Sequence, residues 1–370
     1  MKTVKILHAA DLHLDSPFEA LGAGKAVIRR SEQRELLTRL AELARREQVD
    51  LVLLAGDLLD SDNMYHETGE TLLRCFAQMA VPVFIAPGNH DYYSTSSPYA
   101  RLNLPENVHL FTSSKIECTE LPKLGVRVYG AAFTDKSASG LLKGFQVQDD
   151  DMLNILCMHA DEDRRDSRYN PVRLDELERS GLNYAAFGHI HKASGLLRAG
   201  NTFYSWPGCP EGRGFDELGE KTVNIVTLSP EECSVEQKCI STRKYEIMSI
   251  DVTGLEPLLA IHTALPDDTV RDTYRIILTG EAEQSPDLNK LYANLEELFF
   301  ELQLRDQTRL RRSVWESVGS DTLRGLFLTK LKAQYDGETN DRKRRLIEQA
   351  ARWGLAALDN AEEVQRHENK

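Results

Sequence analysis

The first half of the chain alternates short apolar runs with amphipathic stretches. Five runs have the length and apolar content of buried strands, and they are VKILHAA (4–10), LVLLA (51–55), VPVFIAP (81–87), LNILCM (153–158) and YAAF (184–187). Leucines recur at helical spacing within 28–48, and a second helical pattern covers 70–79. This alternation predicts a βαβαβ order at the start of the chain.

Beyond Val108 the apolar segments become shorter and lie closer together. They include VRVYGAAF (126–133), TFYSW (202–206) and TVNIVTL (222–228). The change predicts a second sheet packed on the first, with helices outside. For about residues 1–245 we therefore expect an α/β fold, a two-sheet sandwich flanked by helices.

The pattern changes again after Tyr245. Strand and helix signals alternate over 246–318, which predicts a small α/β domain. Its segments are IMSIDVTG, a helix from Glu256, TYRIILTGEA and a helix at 288–295. Over 319–370 the pattern is purely helical with a turn at Gly337, which predicts a C-terminal helical hairpin.

A polar cluster directly follows each of the five strand-like runs. The clusters are Asp11-Leu12-His13, Gly56-Asp57, Gly88-Asn89-His90-Asp91, His159 and Gly188-His189-Ile190-His191. Strands that end in such residues place them together at one edge of a sheet. Mixed oxygen and imidazole donors suit Mn²⁺, Fe²⁺ or Zn²⁺ and differ from the cysteine ligands of structural zinc. Seven such ligands, with one carboxylate shared, are enough for two metal ions.

Taken singly, most of these clusters also have ordinary explanations. Asp11 could cap a turn beside a surface histidine, Gly56-Asp57 is common as a turn and helix cap, and His159 could be a core histidine. Gly-Asn-His-Asp is more specific, because Asn89 offers a neutral oxygen ligand and Asp91 could orient His90 through a hydrogen bond. The occurrence of all five clusters in this order favours a metal site.

Composition limits the classes of function. The chain has 370 residues, of which 41% are hydrophobic and 28% charged, as in ordinary globular proteins. It has no apolar stretch long enough for a membrane span, and its six scattered cysteines without a CxxC pair suggest reduced thiols in the cytoplasm. The net charge of −13 argues against a generic nucleic-acid binder, but metals and a local basic strip could still carry phosphate contacts.

The ordered motifs D-x-H, G-D, G-N-H-D, H and G-H-x-H resemble those of the calcineurin-like metallophosphoesterase superfamily. Within it, the chain is similar to the DNA-repair exonuclease branch typified by the SbcD nuclease subunit. The segments ADLHLDSPF (10–18) and YSWPGCPEGRGFDE (204–217) are most like the YhaO-type subgroup. The resemblance covers about residues 5–217. It implies a four-layer metallophosphoesterase nuclease domain over 1–245 and a capping role for 246–318.

The resemblance also implies roles for single residues. The first metal ion would be held by Asp11, His13 and His191, and the second by Asn89, His159 and His189, with Asp57 bridging them. The two ions would be Mn²⁺, with Fe²⁺ or Zn²⁺ as alternatives. A metal-bridging hydroxide would attack the phosphodiester bond. His90, backed by Asp91, would stabilise or protonate the leaving oxygen, or would have a structural role only.

Some residues depart from the family pattern or keep two explanations. Some nuclease relatives carry a histidine three residues after the bridging aspartate, where this chain has Asp60. Asp60 could orient a metal ligand or cap the following helix, and Asp15 could support the site or cap a turn. Arg213 could bind a substrate phosphate, or it could pair with Glu211 or Asp216.

The C-terminal third bears on partners. Basic stretches at RLRR (309–312) and DRKRRL (341–346), expected to be helical, could contact DNA or could be solvated faces. The apolar stripe of the last two helices could dock on its own domain or, as the resemblance implies, on an SbcC-like coiled-coil ATPase subunit. The resemblance leaves a homodimer open.

Three functions remain at this point. The leading hypothesis is a Mn²⁺-dependent DNA exonuclease or endonuclease in DNA repair. The alternative enzyme is a phosphodiesterase or phosphatase for a small molecule that uses the same metals. A metal-binding scaffold without activity would be expected to have a broken ligand set, whereas all seven ligand positions are filled.

Overall fold

The computed structural model of the chain describes residues 3–148, 151–164, 166–310 and 314–367. In chain order the strands β1 to β17 of these ranges are Val4–Ala9, Leu51–Leu54, Val83–Ile85, Val108–Leu110, Glu117–Leu121, Val126–Ala131, Leu153–His159, Tyr184–Gly188, Leu197–Ala199, Thr202–Ser205, Thr222–Leu228, Cys233–Cys239, Tyr245–Asp251, Thr273–Thr279, Glu281–Ala282, Glu301–Asp306 and Arg309–Leu310. The helices α1 to α8 are Ala23–Arg46, His66–Met79, Pro98–Arg101, Leu174–Arg179, Pro257–Ala264, Leu288–Leu295, Leu323–Gly337 and Asp341–His367.

Two six-stranded sheets organise the first 240 residues. The first has the order β12-β11-β1-β2-β3-β4, in which β1 to β4 are parallel and β11 and β12 are antiparallel additions. The second has the order β5-β6-β7-β8-β10-β9, with β6, β7, β8 and β10 parallel. Because parallel strands end on the same side, the loops after β1, β2 and β3 share one edge, as do those after β7 and β8.

Alternating side chains of the strands build three apolar layers. Ile6 of β1 and Ile155 of β7 belong to the core between the two sheets. Leu7, on the opposite face of β1, packs in the layer that includes Leu36 of α1. The outer face of the second sheet packs with Leu177 of α4. The resulting helix, sheet, sheet, helix order confirms the predicted two-sheet sandwich flanked by helices.

The start of α1 was harder to predict than its centre. The leucine pattern predicted a helix from about residue 28, but α1 begins at Ala23. Besides the small Ala26, the side chains that its first turns bury are polar, namely Arg29, Glu32 and Gln33, so a search for apolar periodicity begins too late. The helix predicted at 288–295 has the bounds of α6.

The C-terminal part contains a three-stranded sheet of order β13-β14-β16 and the helical pair α7 and α8. The pair confirms the predicted C-terminal hairpin. The helical prediction for RLRR was wrong at Arg309–Leu310, which form β17 and pair with β15, while residues 311 and 312 lie outside the described residues. Among the helices of the described ranges, none has the length and apolar character needed to cross a membrane.

Spatial contacts divide the chain into two compact units. One consists of residues 1–248, 266–276 and 294–303, and the other of residues 249–265, 277–293 and 304–370. The domain boundaries expected from the sequence, at 245 and 318, stay predictions.

The close packing of the two sheets predicts that a larger side chain at Gly130 in β6 destabilises the fold. A Cβ atom placed there would lie 2.1 Å from a ring carbon of Phe111. We expect Gly130→Ala to lower the free energy of unfolding by about 1–3 kcal/mol, because the buried ring must move. The matched control is Gly24→Ala in α1, where a Cβ meets no atom within 4 Å and the helix should be unchanged or slightly stabilised. Urea denaturation of both variants measures the difference, and equal stability would contradict the prediction.

Candidate metal centre

The loops that leave β1 and β2 run side by side at the sheet edge. The backbone N–H of Asp11 donates to the carbonyl of Gly56 at 3.0 Å, and that of His13 donates to the carbonyl of Asp57 at 3.0 Å. Asp11, His13, Asp57 and His189 have φ values of 54°, 43°, 51° and 97°. Left-handed backbone is costly for such residues and is typically retained at functional sites. Sharp turns after three strands therefore bring these side chains to one edge.

The first donor group consists of Asp11, His13 and His191. The Nε2 atoms of the two histidines lie 3.2 Å apart, and Nε2 of His191 lies 4.0 Å from Oδ1 of Asp11. Nδ1 of His13 faces Oδ1 of Asp60 at 3.1 Å, and Nδ1 of His191 faces Oε1 of Glu217 at 2.7 Å. Because each carboxylate accepts a hydrogen bond from Nδ1–H, both Nε2 atoms carry lone pairs that point at the same space. A cation fits between them.

The second donor group surrounds His159. Its Nδ1 donates to the carbonyl of Ala55 at 2.9 Å, which leaves Nε2 as a lone pair. That Nε2 lies 3.0 Å from Oδ1 of Asn89, so two acceptors face each other here as well. The ring of His189 packs edge-on against His159 with centroids 5.2 Å apart, and its Nε2 lies 3.8 Å from Asp161. This donor set also suits a cation.

Asp57 lies between the two groups. Its Oδ2 atom is 3.7 Å from Nε2 of His13 and 3.4 Å from Nε2 of His159. Its other oxygen accepts the backbone N–H of His90 at 2.9 Å. Asp57 is also almost completely buried. A single carboxylate thus reaches both donor groups, as a bridging ligand must.

Burial gives the donors the charge states that a metal site needs. Burial lowers the pKa of His13 to about 4, and burial together with the charge of His159 lowers the pKa of His189 to about 4. These imidazoles are therefore neutral at pH 7, which is their metal-binding form. Burial, and then the nearby charge of Asp57, raise the pKa of Asp11 well above its usual value. A divalent cation would offset the crowding of these two buried carboxylates.

The predicted pair of His90 and Asp91 has a different arrangement from the one expected. The expected hydrogen bond from the His90 ring to Asp91 was wrong, because Nδ1 of His90 lies against the carbonyl of Asp60 and the Asp91 carboxylate accepts from other groups. That carboxylate is fully buried and accepts backbone N–H groups of Asp57, Leu58, Leu59 and Gly88 at 2.7–3.3 Å, as well as the hydroxyl of Tyr99. Buried amides need such partners, which explains why the carboxylate turns inward. Asp91 thus holds the loop that carries Asp57.

His90 is exposed at the rim of the site. Its Nδ1 lies 3.0 Å from the backbone carbonyl of Asp60, and its ring centroid is 4.7 Å from that of His13. Its Nδ1 donates to that carbonyl, and one of its ring nitrogens lies within 4.8 Å of ligand atoms of His13 and Asp57. His90 thus lies beside the donor groups.

The structure distinguishes the alternatives for Asp60, Asp15 and Arg213. Asp60 contacts the ligand candidate His13 and caps no helix, whereas Asp15 accepts from the backbone of Tyr65 and from Thr68 at the start of α2. Arg213 pairs with Asp60 at 3.0 Å and with Glu217 at 2.9 Å. The sequence had left open a pairing of Arg213 with Glu211 or Asp216, and that alternative was wrong. Glu211 instead pairs with Arg29 and Arg39.

The contact of Glu217 with His191 was not predicted from the sequence. The Glu217 carboxylate orients His191 at 2.7 Å and is largely buried. The glutamate ends the glycine-rich segment 204–217, which carried part of the family resemblance. A distance of 26 residues along the chain separates it from His191, so spacing alone could not link the two.

Comparisons with known proteins agree with this geometry. The family model "Calcineurin-like phosphoesterase" matches residues 4–193, which include the seven predicted ligands. The metallophosphoesterase YhaO of Bacillus subtilis is 29% identical over 273 residues, covering 70% of this chain and 66% of YhaO. The SbcD subunit of the SbcCD nuclease of the same organism is 25% identical, covering 65% of this chain and 71% of that protein. The DNA double-strand break repair protein Mre11 of Saccharolobus solfataricus is 22% identical, covering 91% and 93%.

The facing acceptors and crowded carboxylates predict that a divalent metal stabilises the fold. In thermal denaturation, Mn²⁺ at about 100 times its Kd should raise the free energy of unfolding by about 2.7 kcal/mol relative to a metal-free sample in EDTA. The gain should increase with rising pH, because Asp11 must lose its proton to bind. Asp57→Asn should lose most of the gain. An unchanged melting temperature with Mn²⁺ would contradict the metal site.

The different positions of Asp91 and His90 predict effects of different size on stability. Asp91→Asn should lower the free energy of unfolding by about 2–4 kcal/mol, since an amide cannot accept all of the buried backbone N–H groups. His90→Ala should change it by less than about 0.5 kcal/mol, as expected for an exposed side chain. Urea denaturation in EDTA compares them without a metal contribution. A large loss in His90→Ala would show that its ring holds the fold together.

Proposed function

The chain belongs to the calcineurin-like phosphoesterase family, and we propose that this metal-dependent phosphoesterase is a two-metal DNA nuclease. The observation that carries the proposal is the position of Asp57, whose Oδ2 reaches His13 and His159 at 3.7 and 3.4 Å. One bridging carboxylate between two donor groups is what a pair of metal ions requires.

The seven donors divide naturally between two ions. We assign one ion to Asp11, His13 and His191, and the other to Asn89, His159 and His189, with Asp57 shared. In the first group the donor atoms lie within 4.8 Å of one another, and in the second Nε2 of His159 lies 3.0 Å from Oδ1 of Asn89 while the ring of His189 packs against His159, which supports this division. The nitrogen and oxygen donors fit Mn²⁺, and they also accept Fe²⁺ or Zn²⁺.

The chain's own residues prepare the site for phosphodiester hydrolysis. When bound, two divalent ions polarise the phosphodiester and lower the pKa of an attacking water molecule. His90 is placed to give a proton to the leaving oxygen from Nε2 of its doubly protonated ring, because its Nδ1–H is held by the Asp60 carbonyl; the neutral ring remains after the transfer. Asp91 acts on the site indirectly, through the backbone of the Asp57 loop.

Two features support DNA as the substrate and a partner protein. The relatives include a component of the nuclease SbcCD and a DNA double-strand break repair protein. The C-terminal helices α7 and α8 expose large apolar side chains at Leu323, Leu326, Leu346 and Trp353, with Trp353 73% exposed. We propose that an SbcC-like coiled-coil ATPase covers them. The six free cysteines fit a reducing cytoplasm.

The test compares two substrates whose leaving groups differ. Linear and hairpin DNA and bis-p-nitrophenyl phosphate would be incubated with the full chain and Mn²⁺. Asp57→Ala should abolish cleavage of both. His90→Ala should slow DNA cleavage by about 10²–10⁴-fold but should affect the nitrophenyl ester far less, because p-nitrophenolate leaves without a proton.

The matched control is His66→Ala. His66 is also exposed and pairs with Glu70 on α2, outside the donor groups, so both activities should be retained. Cleavage of the nitrophenyl ester without cleavage of either DNA would favour a small-molecule phosphodiesterase. Equal losses on both substrates in His90→Ala would refute its role as proton donor.

A further inference from the structure

Three charged side chains connect the two histidines of the first donor group. Asp60 contacts Nδ1 of His13 at 3.1 Å, and Glu217 contacts Nδ1 of His191 at 2.7 Å. Arg213 joins the two carboxylates, with Nη1 donating to Asp60 at 3.0 Å and Nη2 donating to Glu217 at 2.9 Å. The five side chains form a chain of contacts that closes where the two Nε2 atoms meet at 3.2 Å.

Arg213 makes two further contacts in this cluster. Nη2 also lies 3.3 Å from Nδ1 of His191, and the backbone N–H of Arg213 donates to the second oxygen of Glu217 at 2.7 Å. The side chain is 21% exposed. Burial acts to raise the pKa of Glu217, but the contact with His191 and the charge of Arg213 prevail and lower it. The two contacts from Arg213 hold the Glu217 carboxylate against the ring of His191.

The second donor group has no equivalent arrangement among the described residues. His159 is oriented by the backbone carbonyl of Ala55, which no side-chain substitution removes. His189 has a carboxylate neighbour only at 3.8 Å, Asp161. The two metal positions thus differ in how their imidazoles are held.

We propose that Asp60, Arg213 and Glu217 are positioning residues that act as one unit and set the metal affinity of the Asp11, His13 and His191 position alone. This inference rests on the proposed two-metal site. It gives Arg213 a role other than the substrate contact expected from the sequence. Carboxylates that accept from metal-binding histidines fix the ring orientation and raise ligand basicity, and their loss typically weakens metal binding about 10–100-fold. Arg213 keeps both carboxylates in place.

The experiment is calorimetric titration of the full metal-free chain with Mn²⁺, checked by measuring bound manganese after desalting. The wild type should bind two ions. Arg213→Met and Glu217→Gln should weaken one binding event about 10–100-fold and leave the other unchanged. Arg213→Lys keeps the positive charge but cannot contact both carboxylates in the same geometry. Its affinity for that ion should therefore fall by a smaller factor than in Arg213→Met.

Arg127→Met is the matched control. Arg127 also joins two carboxylates, Glu120 at 2.9 Å and Asp151 at 2.6 Å, outside the donor groups, and this variant should bind two ions normally. Thermal denaturation in EDTA verifies that each variant is folded, and Asp60→Asn replaces any variant that is not. Loss of both binding events together, in a folded variant, would overturn the selective role.

Substrate binding by Arg213 gives a different result. Two unchanged manganese sites in Arg213→Met, with a raised KM for bis-p-nitrophenyl phosphate, would overturn the inference. Because the titration needs no DNA, a wild type that binds two ions but cuts no DNA would refute the proposed nuclease and leave the inference standing. A wild type that binds fewer than two ions would overturn both.

Discussion

Two pairs of atoms face each other at the sheet edges, and both members of each pair are hydrogen-bond acceptors when the imidazoles carry their hydrogen on Nδ1 alone. They are the Nε2 atoms of His13 and His191 at 3.2 Å, and Nε2 of His159 with Oδ1 of Asn89 at 3.0 Å. Such pairs repel unless a cation lies between them. The surrounding groups serve this arrangement, because each Nδ1 atom is committed to a carboxylate or a carbonyl. The metal site thus follows from tautomers that its neighbours impose.

The sheets explain why these donors can meet although they are far apart in the chain. The loops after β1, β2 and β3 leave one sheet, and those after β7 and β8 leave the other, so the donors gather where the two edges adjoin. Positive φ at Asp11, His13, Asp57 and His189 turns each loop at once after its strand. Fixed contacts offset this backbone strain: Asp91 accepts the amide of Asp57, Asp11 accepts that of His189, and the amides of Asp11 and His13 donate to the neighbouring loop.

Periodicity and strand endings were enough to predict the two sheets and the donors that gather at their edges, since both depend on local pattern. The partners of those donors were less predictable. Asp91 was expected to hold His90 because they are adjacent, but the Asp91 carboxylate instead accepts buried backbone N–H groups of the loops around Asp57 and Gly88. Glu217 was missed because only the tertiary fold brings it to His191. The polar first turns of α1 escaped a search for apolar spacing.

The donor chemistry also shows how a chain of net charge −13 could attract a phosphodiester. Of the seven donors, only Asp11 and Asp57 are carboxylates, and the low pKa values of His13 and His189 keep those imidazoles neutral. Two divalent ions, where bound, would contribute +4 against −2 from these carboxylates, which would leave +2 at the centre. Arg213 then offsets part of the charge of Asp60 and Glu217. In such a partly buried site this local charge counts for more than distant surface charge, which salt screens.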